Sequence, residues 1–236
     1  MGSAKDIVLR PINAKDASAL VKRVHYSGKV VQNSTLHIGV FHAGRLEGAM
    51  QFGSPLDRRK VLPLVTGTLW NQMLELNRMA FSETLPRNSE SRAMAVAFRL
   101  IRAHRPDIKW ILSFADGTQC GDGTIYRASG FVLTGVKVSA NLARLPDGST
   151  IHKMTLESNT TRPREELGGR SYASVAGGSY DFKAYCQAAR ATVLPGYQLR
   201  YIKFLDPSWA SRLTVPAIPF DAIPADARMY RGEKLQ

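Results

Sequence analysis

The segment from Ser82 to Asp116 constrains the fold more than any other part of the chain. Its apolar positions recur at helical spacing: Met94, Phe98 and Ile101. They predict an amphipathic helix of about four turns, which Asn88 or Ser89 can cap at its start. The apolar run from Ile108 to Ala115 then predicts a buried strand. A helix that leads into a buried strand is typical of α/β proteins.

Patterns on both sides of this segment extend the α/β prediction. They indicate a strand at 6–13, a helix from Asn13 to Gly28, a hairpin at 35–53 that turns at His42-Ala43-Gly44, a strand at 73–81, a short helix at 123–131 and a strand at 132–140. Beyond Ser139 the pattern weakens, although Tyr197–Leu205 alternates like a strand. The sequence therefore predicts a catalytic core at 1–138 and an extension at 139–236 that packs on it as one compact unit.

Charge indicates the class of partner. Thirty-two Lys and Arg against nineteen Asp and Glu give a net charge of +13. Such a field attracts polyanions, and nucleic acid is the commonest of these. No apolar run approaches the roughly 20 residues of a membrane span, and no signal-peptide pattern is evident. We expect an intracellular protein that binds nucleic acid and not a membrane.

The Gly-rich stretch from Ser113 to Phe131 is open to three interpretations: a metal loop, a phosphate loop or part of an acceptor site. A calcium loop needs alternating acidic ligands and a closing Glu, and both are missing. A P-loop needs Lys and then Ser or Thr after its last Gly, and these are also missing. The stretch is therefore interpreted as a strand end that brings Asp116 into a cleft, with Tyr126 facing the same cleft from the next helix.

Three histidines offer an alternative metal site for iron or zinc: His25, His37 and His42. Their spacing sets no ligand geometry, and His37 and His42 would face opposite sides of one strand. The sequence therefore predicts no metal as the main interpretation.

Five ordered motifs carry a family resemblance: HYSGK, LNR followed by PRNSES, SFADG, GTIYRASGF and GYQLRYIKFLDP. Together they resemble the Mom family of phage DNA-modification proteins, and the core resembles GNAT-type N-acyltransferases. The resemblance implies a GNAT-like central mixed sheet flanked by helices. It also implies an enzyme that converts adenine in DNA to the carbamoylmethyl form, which protects phage DNA from restriction in the cytoplasm of the infected bacterial host.

Site residues follow from the same resemblance. It implies catalytic roles for His25, Tyr26, Asp116 and Tyr126. The expected donor-binding residues lie on a strand and on the loop before the long helix: Arg78, Arg87, Asn88, Ser89, Ser91 and Arg92. Arg78 is predicted to pair with a carboxylate or an anionic ligand, and Glu75 is a candidate partner, because an unpaired buried guanidinium is costly.

The sequence leaves the donor undecided between an acyl-CoA and an aminoacyl-tRNA. The resemblance implies acetyl-CoA, but the loop PRNSES has none of the glycines of the usual acyl-CoA pattern. Atom balance favours glycyl-tRNA, because acetyl transfer alone yields an acetyl amide and supplies no second nitrogen. The expected partners are therefore double-stranded DNA and, for the donor, tRNA.

DNA contacts are expected from two groups of residues. An adenine must leave the duplex to react, so aromatic side chains should stack on it, and the candidates are Tyr26, Trp70 and Tyr172. Phosphate contacts are expected from a basic, Gly-rich loop that we expect to be mobile and from the late strand: Arg162, Arg164, Arg170, Arg200 and Lys203, with Tyr172 beside them. Two other functions stay open, a conventional acyl-CoA N-acetyltransferase and a non-enzymatic nucleic-acid-binding domain.

Overall fold

A computed structural model describes residues 3–118, 121–177, 181–225, 229–230 and 233–234. The strands are β1 Val8–Pro11, β2 Ser34–His42, β3 Arg45–Gly53, β4 Met73–Phe81, β5 Trp110–Asp116, β6 Val132–Arg144, β7 Thr150–His152, β8 Thr192–Phe204, β9 Met229–Tyr230 and β10 Glu233–Lys234. The α-helices are α1 Ala14–Val24, α2 Arg58–Val61, α3 Ser89–His104, α4 Thr124–Ala128, α5 Lys153–Glu157, α6 Tyr172–Ala176 and α7 Phe182–Ala188.

Eight strands form one sheet in the order β1-β2-β3-β4-β5-β8-β6-β7. Only the central β4–β5 pair is parallel, and the other neighbours in this sheet are antiparallel. Helix α3 connects the two parallel strands, as a crossover between parallel strands requires. This architecture confirms the predicted α/β class with a mixed central sheet flanked by helices.

The two parallel strands separate in the middle of the sheet. They pair only between Met73–Glu75 and Trp110–Leu112. Beyond these positions β4 continues along β3, whereas β5 continues along β8. A gap therefore opens between the carboxyl ends of β4 and β5.

A β-bulge in β4 contributes to this separation. Gln51 of β3 faces Arg78, but its neighbour Phe52 faces Leu76, so Asn77 is an additional residue in β4. The extra residue changes which positions of β4 contact the main core: Leu74 and Leu76 before the bulge, Met79 and Phe81 after it. Because side chains alternate along a strand, Arg78 faces away from the main core.

Helices cover both faces of the sheet. On one face α3 buries the apolar residues that predicted it, Met94, Phe98 and Ile101, in the main core. On the other face α1 packs against β2, β3 and β4, and a second cluster surrounds Trp110 and Trp209. Helix α1 ends at Val24 with His25 as its C-cap, earlier than the predicted end at Gly28. No helix in the described ranges is long and apolar enough to cross a membrane.

Residues 145–191 form an insertion between β6 and β8. It encloses a core of its own, which includes Leu156, Leu167, Tyr172 and Tyr185. The predicted boundary between residues 138 and 139 lies inside β6, and β8 occupies a place in the middle of the sheet. The C-terminal part of the chain is therefore a component of the central sheet as well as an addition to it.

The basic, Gly-rich stretch that was expected to be a mobile loop is folded over most of its length. It forms a 3-10 turn at Glu165–Leu167 and the helix α6, while Gly178 and Ser179 at its end lie outside the described residues. Buried apolar residues anchor it, because Leu167 and Tyr172 belong to the core of the insertion. Local composition could not show this, since those residues pack against partners distant in sequence.

Candidate active site

Four segments bring polar side chains to the gap between β4 and β5. His25 and Tyr26 follow α1, Arg78 lies on β4, Asp116 ends β5, and Tyr126 lies on α4. The rings of His25 and Tyr26 contact each other with centroids 4.2 Å apart. Burial and then the charge of Arg78 lower the pKa of His25. Burial also lowers the pKa of Arg78, and the charges of Tyr26 and Tyr126 oppose this effect. The predicted catalytic residues His25, Tyr26 and Tyr126 therefore lie around one guanidinium group.

Arg78 ties the loop after α1 to the central sheet. Its Nε donates to the carbonyl oxygen of Lys29 at 3.0 Å, and its Nη1 donates to that of Asn77 at 2.7 Å. Burial lowers the pKa of Arg78, and the charges of Tyr26 and of Glu75, the expected partner, oppose this effect. The guanidinium is thus held by backbone acceptors, and Glu75 contributes at longer range.

His25 is an uncharged imidazole at neutral pH. Its Nδ1 accepts a hydrogen bond from the Ser27 backbone N–H at 3.1 Å and lies 2.8 Å from Ser27 Oγ. Burial, and then the charge of Arg78, lower the pKa of His25 to about 4. Since Nδ1 accepts, the proton of the neutral ring is on Nε2.

Glu75 is a half-buried acid at the last position where β4 pairs with β5. Burial raises the pKa of this carboxyl to about 7, against the opposing effects of a hydrogen bond with the Asn77 side chain and the charge of Arg78. Ser34 Oγ donates to Asn77 Oδ1 at 3.1 Å and so orients the Asn77 amide. A carboxyl with this pKa can exchange a proton near neutral pH.

Asp116 and Tyr126 approach the gap from the side of β5. One oxygen of Asp116 accepts the Thr118 backbone N–H at 2.9 Å, so the carboxylate also caps the loop after β5. The ring of Tyr126 packs against Phe131 and Tyr201, with centroids 5.2 Å and 5.1 Å away. Tyr126 is 8% exposed, which fixes the direction of its ring.

A basic cavity of about 580 Å³ lies at the start of α3. Its polar and charged lining includes Lys5, Arg87, Asn88, Ser91, Arg92 and Arg99. Four of the predicted donor-binding residues therefore share one groove, where the positive end of the helix dipole favours an anion. Ser89 is fully buried, and its hydroxyl donates to the Pro86 carbonyl oxygen at 2.6 Å. Arg78, which was also predicted to bind the donor, does not line this groove and lies near His25.

The predicted DNA-binding residues do not form one continuous surface. Arg200 is fixed by hydrogen bonds to Thr134, and Lys203 donates to the Gly130 carbonyl oxygen at 3.2 Å. Because these two residues are three positions apart in β8, they face opposite sides of the sheet. Arg162, Arg164 and Arg170 are on the insertion, outside the strands of the sheet, and the Arg164 backbone N–H donates to the Arg170 carbonyl oxygen at 3.0 Å.

The assignment of Tyr172 to DNA binding is wrong, because the insertion core buries it completely. Trp70 precedes β4, at the opposite end of that strand from Arg78, and its ring lies under the Arg58 guanidinium. Of the three candidate stacking residues, Tyr26 remains, with 51% of its surface exposed beside His25.

The alternative metal site is not assembled. His37 Nδ1 lies 3.2 Å from the Gln51 side-chain nitrogen on the neighbouring strand, whereas His42 ends β2 at the hairpin turn. Within the part of the chain that the structure describes, no three His, Cys, Asp or Glu side chains are grouped so that they could hold a metal ion.

Comparisons with known proteins agree with the motifs that form this site. The model of the family described as "Mom protein family" matches residues 6–222. Methylcarbamoylase mom of Escherichia phage Mu is 33% identical over 211 residues, which are 89% of this chain and 80% of that protein.

Similar solved structures include two acetyltransferases. One is a GNAT family acetyltransferase from Elizabethkingia anophelis with acetyl-CoA bound, at 12% identity and a TM-score of 0.41 over 84% of this chain and 98% of that chain. The other is the ribosomal-protein-S18-alanine N-acetyltransferase from Escherichia coli, at 8% identity and a TM-score of 0.43 over 85% and 94% of the two chains. The family match, in contrast, includes every segment that carries the site, and the chain therefore belongs to the Mom protein family.

Proposed function

We propose that this chain is a transferase that modifies adenine in phage DNA to the carbamoylmethyl form and so protects that DNA from restriction. The observation that carries the proposal is the convergence of His25, Tyr26 and Tyr126 on Arg78, in a chain whose relative from phage Mu bears the name methylcarbamoylase. The net charge of +13 suits a polyanionic substrate.

Acyl transfer to the adenine amine requires a group that accepts its proton and a group that protonates the leaving oxygen or sulfur. Two carboxyl groups can take the first role: Asp116 at the end of β5, and Glu75, whose charge acts on Arg78. The hydroxyl of Tyr126 can take the second. The guanidinium of Arg78 can stabilise the negative charge that develops on the carbonyl oxygen during attack.

The product constrains the donor. In our proposal the adenine amine attacks the ester carbon of glycyl-tRNA, and the 3′-terminal ribose hydroxyl of the tRNA leaves. The free glycyl amine then attacks C6 of adenine and closes a five-membered spiro ring. When the bond from C6 to the original nitrogen breaks, that nitrogen becomes the carboxamide, and the glycyl nitrogen links the methylene carbon to C6. All atoms of the carbamoylmethyl group are then accounted for.

The function can be tested by mass spectrometry of nucleosides from a plasmid propagated with this protein. We expect a deoxyadenosine that is heavier by one carbamoylmethyl substituent, and no such nucleoside with the Asp116→Asn variant. Unmodified adenine with soluble wild-type protein, in cells and also with purified glycyl-tRNA or acetyl-CoA, would contradict the proposed function. Modification with acetyl-CoA and a separate nitrogen source, but not with glycyl-tRNA, would exclude the glycyl route.

The cavity at the start of α3 gives a prediction for the donor. Arg87→Glu and Arg92→Glu should each raise the KM for the donor at least about tenfold and change kcat little, because each replaces a phosphate-binding charge with a repelling one. Arg59→Glu is the matched control, since Arg59 is exposed on α2 away from the cavity. Steady-state kinetics with varied donor measures this, and equal effects of all three substitutions would show that only the overall charge matters.

A further inference from the structure

The insertion at 145–191 contacts the segment that carries His25. Lys29 Nζ donates to Thr155 Oγ1 of α5 at 2.6 Å, while the carbonyl oxygen of Lys29 accepts the hydrogen bond from Arg78. Arg164 donates to the Thr155 carbonyl oxygen at 3.1 Å and so braces the same turn of α5. One residue, Lys29, therefore connects α5 to the guanidinium at the centre of the site.

His152 lies at the start of α5, three residues before Thr155. It is the N-cap of α5, and its Nδ1 accepts the Met154 backbone N–H at 3.1 Å. The buried side chains of Ile151 and Leu156 hold the segments on either side of it in the insertion core. The ring is thus fixed by its cap bond, and in its neutral form the proton is on Nε2.

Four charged groups on different segments of the chain act on the His152 ring. Asp116 of β5 and Glu157 of α5 are negative, and Lys29 and Arg78 are positive. Burial is the largest effect and lowers the pKa of His152, so the ring is neutral at pH 7. His152 therefore lies within electrostatic range of Asp116 and Arg78, and its neutral ring can donate a hydrogen bond from Nε2.

We propose that His152 is an acceptor-binding residue, whose Nε2–H donates a hydrogen bond to a ring nitrogen beside the exocyclic amine of the flipped adenine. The proposal rests on the proposed function. The amine of adenine is flanked by N1 and N7 of the base, which are both acceptors and need a donor when they leave the duplex. The donor groove lies at the start of α3, whereas α5 contacts Lys29 in the loop after α1, so we expect the acceptor base on the side of the gap nearest to α5.

A pair of variants separates the hydrogen bond from the packing of the ring. His152→Phe keeps a ring without a donor, and His152→Gln keeps a side-chain N–H. With a duplex oligonucleotide as acceptor, we expect kcat/KM to fall about 10- to 100-fold for His152→Phe, as for a lost hydrogen bond in a buried site, and less than about fivefold for His152→Gln. His42→Phe, on the hairpin, is the control and should behave as wild type.

Replacing the target adenine by an analogue tests the hydrogen bond from His152 without any change in the protein. Oligonucleotides with 1-deazaadenine or 7-deazaadenine at the target position lack N1 or N7. We expect one of the two to lower kcat/KM of the wild-type protein about as much as His152→Phe does, and to cause no further loss in that variant.

The outcomes distinguish this inference from the proposed function. If wild-type protein modifies no DNA, both proposals fail. If it modifies DNA but both deaza-analogues react like adenine, or His152→Gln is as inactive as His152→Phe, the His152 proposal fails and the proposed function stands.

Discussion

Glu75→Gln should raise the free energy of unfolding at pH 8 by about 3 kcal/mol relative to the wild-type chain. Burial raises the pKa of Glu75 to about 7 from an ordinary value of 4.5. Between these pH values the folded chain keeps a proton that the unfolded chain has released. The contribution of Glu75 to the free energy of unfolding therefore falls as the pH rises from 4.5 to 7. A glutamine has no proton to lose, so the penalty at pH 8 disappears. The same variant should lose activity if Glu75 accepts the amine proton.

His25 has the opposite effect over nearly the same range. Its pKa of about 4 lies below the ordinary value of 6.5, so the unfolded chain takes up a proton first as the pH falls. This group therefore stabilises the fold above pH 6.5, and the effect is lost between pH 6.5 and 4, by about 2 kcal/mol after allowance for partial exposure. In the wild-type chain the two groups offset each other.

Each single variant should reveal the effect of the group that remains. Urea unfolding between pH 4 and 8 should show stability rising with pH in Glu75→Gln and falling with pH in His25→Gln, while Glu83→Gln, an exposed control, follows the wild type. A lower stability of Glu75→Gln at pH 8 would contradict the prediction. It would mean that Glu75 is an anion paired with Arg78 in the folded chain.

Arg78→Lys should lower activity by about 100-fold or more and lower the free energy of unfolding by about 2 kcal/mol. The guanidinium donates to the carbonyl oxygens of Lys29 and Asn77 in two directions at once. A lysine keeps the positive charge but cannot reproduce this fork, so at least one carbonyl oxygen loses its partner and the loop that carries His25 is released. Nucleoside mass spectrometry and thermal unfolding measure the two effects.

Arg45→Lys is the matched control for this prediction. Arg45 is on the surface and pairs with Glu47 at 3.2 Å, so a lysine can replace it with little change. If Arg78→Lys kept full activity, the fork would be unimportant and charge alone would account for the role of Arg78. If both substitutions lowered activity equally, the effect would be general to the loss of an arginine.

Local pattern was sufficient for the elements whose apolar face or turn is continuous in sequence. The spacing of Met94, Phe98 and Ile101 predicted α3, and the same three residues lie in the main core. The turn at His42-Ala43-Gly44 was predicted from its residues, and the backbone is left-handed at Ala43 and Gly44, with φ of 48° and 80°. Interactions between residues that are close in sequence determine α3 and this turn.

Contacts between distant segments could not be predicted in this way. The sequence predicts that Tyr172 binds DNA beside the basic, Gly-rich loop, but Tyr172 packs against Tyr185 in the insertion core. Glu75 and His152 belong to no motif, and their properties come from burial and from charges on other elements. The sequence indicates Glu75 only as a candidate partner of Arg78 on the same apolar strand.

The ends of the insertion meet at neighbouring positions of the sheet, since Arg144 of β6 pairs with Thr192 of β8. Paired strands are only about 5 Å apart, so a two-residue turn can join these ends directly. The eight-stranded sheet then loses only its edge strand, β7. The sheet that holds Arg78 therefore does not depend on the segment that carries His152 for the pairing of its other seven strands.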